Sequence, residues 1–288
     1  MPASFARPEQ SLEPGLYIVA TPIGNARDIT LRALDVLGAA NAIASEDTRV
    51  TRKLLDIHGI SAPTLIRYDE HAAARAEPQL LERLGAGEAI ALATDAGTPL
   101  VSDPGFRLVQ AAIAAGYRVI PVPGASAALA ALTLAGLPSD RFLFAGFPPT
   151  KSGQRQRWLG ELAAIPATLI FFESVRRLEG SLADMAAVLG DRQACVGREL
   201  TKLFEEARRG GLAELAAHYA EAGAPKGEAT IVVAPPLAVA ADPADLDAAL
   251  RPLLREMTVR DAAKAAAAAT GLSQRDAYQR ALQLKAEA

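Results

Sequence analysis

The 288-residue chain holds one cysteine, Cys195, and three histidines, His58, His71 and His218. A single thiol excludes an internal disulfide framework and any multi-thiolate metal centre. The histidines stand far apart without ligand spacing, so no bound metal is expected. A basic excess is also missing. The formal net charge is -3, which argues against a protein that coats nucleic acid non-specifically and leaves room for a specific RNA or a protein-bound RNA target. Asp, Arg, Glu or Lys interrupts every alanine-rich run, so no stretch is long enough to span a bilayer. The N-terminal MPASFARPEQSLEPG lacks the apolar core of a signal peptide. These absences lead to the expectation of a cytoplasmic protein with no membrane partner, whose residues 1–13 form a flexible tail.

With 50% hydrophobic and 22% charged residues, the chain can bury a substantial core and suits two domains better than one. LYIVA, NAIAS, TLIRY, AIALAT and RVIPV are short apolar or β-branched runs, separated by helical patterns such as ITLRALDVL, TRKLLDI and FRLVQAAIAA. This alternation predicts an α/β domain over 14–122 with a largely parallel sheet. From 123 to 237 the runs FLFAGF, TLIFFES, ACVGREL, KLFEEA and EATIVVAP are partly alternating, which predicts a second α/β domain with more antiparallel pairing. PPLAVAADPAD reads as a linker into a helical tail over 245–288. In that tail a helix, a turn at Gly271 and a second helix starting near Ser273 fit a helix-turn-helix, with Ser273 and Asp276 as a capping box. A helical pair packed on the body or on a second copy fits equally well.

Ligands of open parallel sheets sit beyond the carboxyl ends of the strands, where ATDAGTPLVSDPG follows AIALAT. The loop is wrong for phosphate. Pro99 and Pro104 lack N–H donors, Asp95 and Asp103 add negative charge, and neither GxxxxGK[ST] nor GxGxxG occurs. A neutral or cationic ligand rich in amines and hydroxyls suits it, and S-adenosyl-L-methionine meets that description. Taken singly, each such loop is also an ordinary Asp-containing turn.

TPIGNARDITLRAL, ASEDTRVTRKLL, DAGTPLVSDPGF, VPGASAALAAL, FFES, GRELTK and KGEATIVV, in this order, closely resemble the tetrapyrrole methylase superfamily, and within it the methyltransferases of small-subunit ribosomal RNA. The resemblance runs from about Gly15 to Pro235, with the tail resembling that group's helix-turn-helix. It implies a two-domain tetrapyrrole-methylase-like (class III methyltransferase) α/β fold with a small C-terminal helical tail, working as a homodimer. It also implies S-adenosyl-L-methionine as methyl donor and, as acceptor, the ribose 2′-hydroxyl of a decoding-region cytidine of 16S rRNA, within the small ribosomal subunit. Carried over by motif, Pro22, Thr98, Val101, Ser126 and Ala127 would line the donor pocket, joined by Phe172, Glu199 and Ala229 from the second domain.

A ribose hydroxyl is a poor nucleophile at neutral pH, so its proton needs an acceptor. Glu46 and Asp47 of SEDTR are the catalytic candidates, although acids after a strand also cap the next helix. Arg49, His71, Lys202 and Lys226 are candidates for substrate binding, and the two lysines equally suit ion pairs with neighbouring glutamates. The clusters RQRW, VRR and ARR suit RNA phosphates or plain solvated faces. A porphyrin-type methylase on the same fold would keep the donor loops, while a sensor would bind the donor without consuming it.

Overall fold

The computed structural model describes residues 12–236, 243–270 and 272–287. An α/β unit ends at Pro235 and a helical unit begins at Pro236. The first half of the α/β unit runs β1 (Gly15–Val19), α1 (Leu31–Ala39), β2 (Ala42–Ser45), α2 (Thr48–Ile57), β3 (Thr64–Arg67), α3 (Ala73–Gly85), β4 (Ala89–Ala93), α4 (Phe106–Ala114) and β5 (Val119–Val122). Its sheet has the order β3-β2-β4-β1-β5 with every pair parallel. Every residue of β1, β2 and β4 is buried, as expected of strands covered on both faces. In β4, Ile90 and Leu92 face α3 and α4, whereas Ala89, Ala91 and Ala93 face α1 and α2. The sheet's two covers therefore meet side chains of different size. Pro121 is tolerated in β5 because that strand is an edge.

The second half comprises α5 (Ala127–Ala135), β6 (Phe142–Gly146), α6 (Ser152–Leu162), β7 (Thr168–Ser174), α7 (Leu178–Leu189), β8 (Gln193–Arg198), β9 (Glu206–Gly211), α8 (Leu212–Ala222) and β10 (Glu228–Val233). Its order is β6-β7-β10-β8-β9, with one parallel pair and three antiparallel pairs. On β7, Leu169 and Phe171 face α6, α7 and α8, while Ile170 and Phe172 face α5 and Ile23 of the first half. The KLFEEA run is not a strand at its start. β9 begins only at Glu206, and Leu203 and Phe204 are 88% and 68% exposed in the preceding turn.

Three arginines of the basic clusters are engaged within this half. Arg155 is buried against Asp184, with its Nε donating at 2.7 Å, and it also donates to the carbonyls of Pro149, Thr150 and Gly180. Trp158 packs edge-on against Phe171, at a centroid separation of 5.8 Å. Arg177 and Ser181 both donate to the buried Glu173. Arg209 donates to the carbonyls of Leu134 and Ala135.

The helical unit holds α9 (Pro243–Glu256), α10 (Val259–Thr270) and α11 (Gln274–Ala286). One helix more is present than the pair placed in the tail from sequence: α9 precedes them, and Pro243 stands at its first position, where a missing N–H costs nothing. Leu246, Leu250, Ala262, Ala266, Ala277, Ala281 and Leu284 form its core. Ser273 caps α11, its Oγ accepting from the N–H of Asp276, and Arg280 forms a two-pronged ion pair with Asp247 of α9. The expected turn at Gly271, most of the linker and most of the N-terminal tail lie outside the described residues. No helix among the described residues is long and apolar enough to cross a membrane.

Removing one partner of a buried ion pair strands the other. Asp184→Ala should lower unfolding stability by about 3–5 kcal/mol, because the Arg155 guanidinium keeps its burial and loses its carboxylate. Urea denaturation followed by circular dichroism measures this.

Candidate active site

The strand order puts the site in place. From β1 the chain moves to one side of the sheet, and from β4 it moves to the other, leaving a crevice at their adjacent carboxyl ends. Thr21 and Gly97, one from each loop, bridge it through N–H to O=C bonds of 2.8 and 3.1 Å. The Thr21 hydroxyl donates to the Thr94 carbonyl at 3.0 Å, and the Thr94 hydroxyl donates to Asp103 at 2.8 Å. Thr98 donates to the carbonyl of Ala125 after β5, and the Asp47 N–H after β2 donates to Asp95. Four strand ends are thus stitched together through the 94–103 loop. Leu100 and Ser102 adopt left-handed backbone on either side of Val101, and Gly105 closes the loop at φ 130° where a Cβ would lie 2.7 Å from Leu92.

A cleft of about 530 Å³ opens between this loop and the second sheet, within the range of small-ligand sites. One wall carries Ile23, Thr98, Val101, Ser126 and Ala127, and the other Phe172, Leu200 and Ala229, with Phe147 5.6 Å from the Phe172 ring. Ser126 also caps α5. Through Glu46, Asp95, Ser102 and Asp103 the cleft adjoins a larger polar hollow of about 1010 Å³, lined further by Asp47, Arg49, Arg67, Asp69 and His71.

Of the expected donor residues, the structure brings Thr98, Val101, Ser126, Ala127, Phe172 and Ala229 together in the cleft. Pro22 lines an adjoining hollow that also includes Lys202. Glu199 stands behind the wall, where it accepts from the Glu228 N–H and from Lys202 Nζ at 2.9 Å. The Lys202 hydrogen bond holds the Glu199 carboxyl below the ordinary glutamate range. Lys202 also donates to Glu228 at 3.0 Å, so its ammonium is held by two carboxylates rather than presented to a substrate. Lys226 lends its carbonyl to Arg198 and lines none of these hollows. Asp47 is the cap of α2: it accepts from the Arg49 N–H at 2.9 Å and from the Arg49 guanidinium at 2.6 Å. The Arg49 hydrogen bonds pull its carboxyl down to about 2. Asp47 is therefore a poor proton acceptor.

Glu46 is different, because it lines both cavities. Burial pushes its carboxyl above the ordinary range, and repulsion from Asp95, Asp103, Asp69 and Glu70 adds to the rise. Burial likewise raises Asp95 and Asp103. Asp95, Asp103 and Phe147 were not among the expected site residues. Both aspartates stand in the conspicuous loop, but their meeting with Glu46 depends on strands far apart in sequence. Among the described residues no group of His, Cys, Asp and Glu is arranged to hold a metal.

Residues 15–216 match the Tetrapyrrole (Corrin/Porphyrin) Methylases, and residues 240–285 match the family described as RsmI C-terminal HTH domain. The chain is 57% identical over 279 residues to the ribosomal RNA small subunit methyltransferase I of Mesorhizobium japonicum, covering 96% of this chain and 95% of that protein. It is 46% identical to the protein of the same name from Escherichia coli O157:H7, over 93% of this chain and 94% of that one. Among solved structures, cobalt precorrin-4 methyltransferase shares the fold at a TM-score of 0.57 and 19% identity, over 76% of this chain and 94% of that one. Uroporphyrin-III C-methyl transferase from Thermus thermophilus, complexed with S-adenyl homocysteine, does so at 0.53 and 19%, over 76% and 96%. The chain belongs to the tetrapyrrole methylases. Within them it is a member of the ribosomal RNA small subunit methyltransferase I family.

The raised carboxyls give a pH signature. With its pKa raised in the folded state, Asp103 binds a proton more tightly there than in the unfolded chain, so its ionisation weakens the fold as pH rises. Asp103→Asn keeps an acceptor for Thr94 and removes the charge. The variant should melt higher than the parent at neutral pH, with the difference vanishing as pH falls to about 4, near the ordinary aspartate value. Scanning calorimetry across pH measures this.

Proposed function

We propose that the protein transfers a methyl group from S-adenosyl-L-methionine to small-subunit rRNA, at the ribose 2′-hydroxyl of a decoding-region cytidine of 16S rRNA within the small ribosomal subunit. The observation that carries this reading is the junction at Glu46, where an apolar-walled cleft with an acidic rim meets an open polar hollow. The names of its relatives add the substrate class.

The cleft fits the donor. Thr98, Val101, Ser126, Ala127, Phe172 and Ala229 provide apolar walls and small polar atoms, while the carboxylates of Glu46, Asp95 and Asp103 favour a cationic occupant. Pro22 and Glu199 shape it from behind. When bound, the donor supplies an electrophilic methyl carbon on a positively charged sulfur. The chain's largest task is alignment, which is worth roughly 7–11 kcal/mol when attacking and leaving atoms are held in line. The stitched 94–103 loop provides rigidity for that task.

Glu46 takes the proton from the attacking hydroxyl, and its raised pKa makes it a stronger base than an ordinary glutamate. Arg49 and His71, lining the hollow, contact the RNA. The proposed division into domains at 14–122 and 123–237 is supported by each half carrying its own sheet. A cytoplasmic homodimer is the proposed working form, and the exposed Leu203 and Phe204 offer apolar surface that a second copy would cover.

Labelled donor incubated with small ribosomal subunits from cells lacking this protein should place label on a decoding-region cytidine ribose. Label on a tetrapyrrole, with none in the particle, would overturn the RNA reading. Thr98→Arg should abolish donor binding in calorimetry with an unchanged circular dichroism spectrum; retained affinity would remove Thr98 from the pocket. Glu46→Gln should slow transfer by about 10²–10⁴-fold while still binding donor. Because only the ionised carboxylate accepts a proton, wild-type turnover should rise through a pKa above about 4.3, and that limb should disappear in Glu46→Gln.

A further inference from the structure

We infer that the RNA strand leaves the reaction site along a track of basic side chains, Arg49, Arg67, His71 and Arg75, which bind its phosphates. This rests on the RNA reading above and assigns the surface that such a substrate needs. The polar hollow beside Glu46 is lined by Arg49, Arg67 and His71, and it continues through Arg67, Asp69 and His71 into a second hollow of about 470 Å³ containing Arg75 and Gln79. The path therefore starts at the cleft and runs past the end of β3 along the first turns of α3.

The acids on this path pair with two of its arginines and still leave guanidinium N–H groups open. Asp47 is turned to the start of α2 and Asp69 to the start of α3, where it accepts from the N–H groups of His71 at 3.0 Å and Ala72 at 2.7 Å. Each then grips one edge of an arginine: Asp47 accepts from Nε of Arg49 at 3.0 Å and Asp69 from Nε of Arg67 at 2.6 Å. A guanidinium has five donors, so a fork pinned on one edge still presents the others. The Arg49 and Arg67 side chains are 88% and 70% exposed, held in place yet open to solvent. Glu70 lines the first hollow, whereas Glu46, Asp95 and Asp103 stand at its inner end against the cleft. The path thus runs from an acidic inner end at Glu46, Asp95 and Asp103, where a cationic donor suits the cleft, to a stretch where the exposed guanidinium groups of Arg49, Arg67 and Arg75 are open to phosphates.

Single-strand binding that neutralises phosphates weakens with salt by about 0.7 in log K per log salt for each contact. The test is fluorescence anisotropy of a labelled single-stranded oligocytidylate across a salt series, on the full chain. Arg67→Ala and Arg75→Ala should each make the slope shallower by about 0.7, while Arg157→Ala on α6 leaves it unchanged and calorimetric donor affinity stays at the wild-type level in all three. Unchanged slopes in both track variants, or an equal change in Arg157→Ala, would overturn the track. If the track variants fail this test while wild-type protein labels small subunits, the track alone falls. If the slopes change as expected and no particle is labelled, the methylation reading falls and the track stands.

Discussion

Two hydrogen bonds between Thr21 and Gly97 fix the geometry on which the rest of the site depends. Parallel strands that send the chain in opposite directions leave backbone donors and acceptors at their ends with no ladder to join, and burial makes such groups costly. Pairing one loop with the other satisfies them. Once the two loops are joined, the threonine hydroxyls at 21, 94 and 98 extend the connection to Asp103 and Ala125. A cleft with a fixed floor follows from satisfying polar groups, before any ligand is present.

The second sheet contributes the facing wall under a different constraint. Side chains alternate along its strands, so Phe172 reaches the cleft, while the neighbouring Glu173, which also lines it, has its carboxylate held by Ser181 and Arg177. Glu199, at φ 50°, brings its carboxylate so close to Gly227 that a Cβ there would lie 2.2 Å from it. The wall is therefore built from backbone and small residues at the point where the Glu199–Lys202–Glu228 ion pairs brace it.

Much of the fold was legible because its buried strands are short, apolar and bounded by turns. AIALAT and LYIVA each fall within a residue or two of β4 and β1. The failures have equally local causes. In KLFEEA, Leu203 and Phe204 suggest burial but sit in an exposed turn, while the actual edge strand, EARRGG, has almost no apolar pattern to find. Helix α9 lies almost wholly in the stretch read as helical tail but was not singled out as a helix of its own. At the site, ordered motifs pointed to the residues that line the cleft, since those lie on loops with unusual composition. Sequence could not separate Glu46 from Asp47. Their different fates follow from Arg49 closing on one of them and from Asp95 and Asp103 arriving beside the other from distant positions.

Burial first, and repulsion from neighbouring acids after it, hold three carboxyls beside the cleft above their ordinary range. A cation entering it gains from the relief of that repulsion as well as from the contacts it makes. This part of the attraction belongs to the charge of the guest and not to its outline. An occupant that lost its positive charge while keeping its shape would forfeit that share at once, and the same walls that drew it in would no longer hold it.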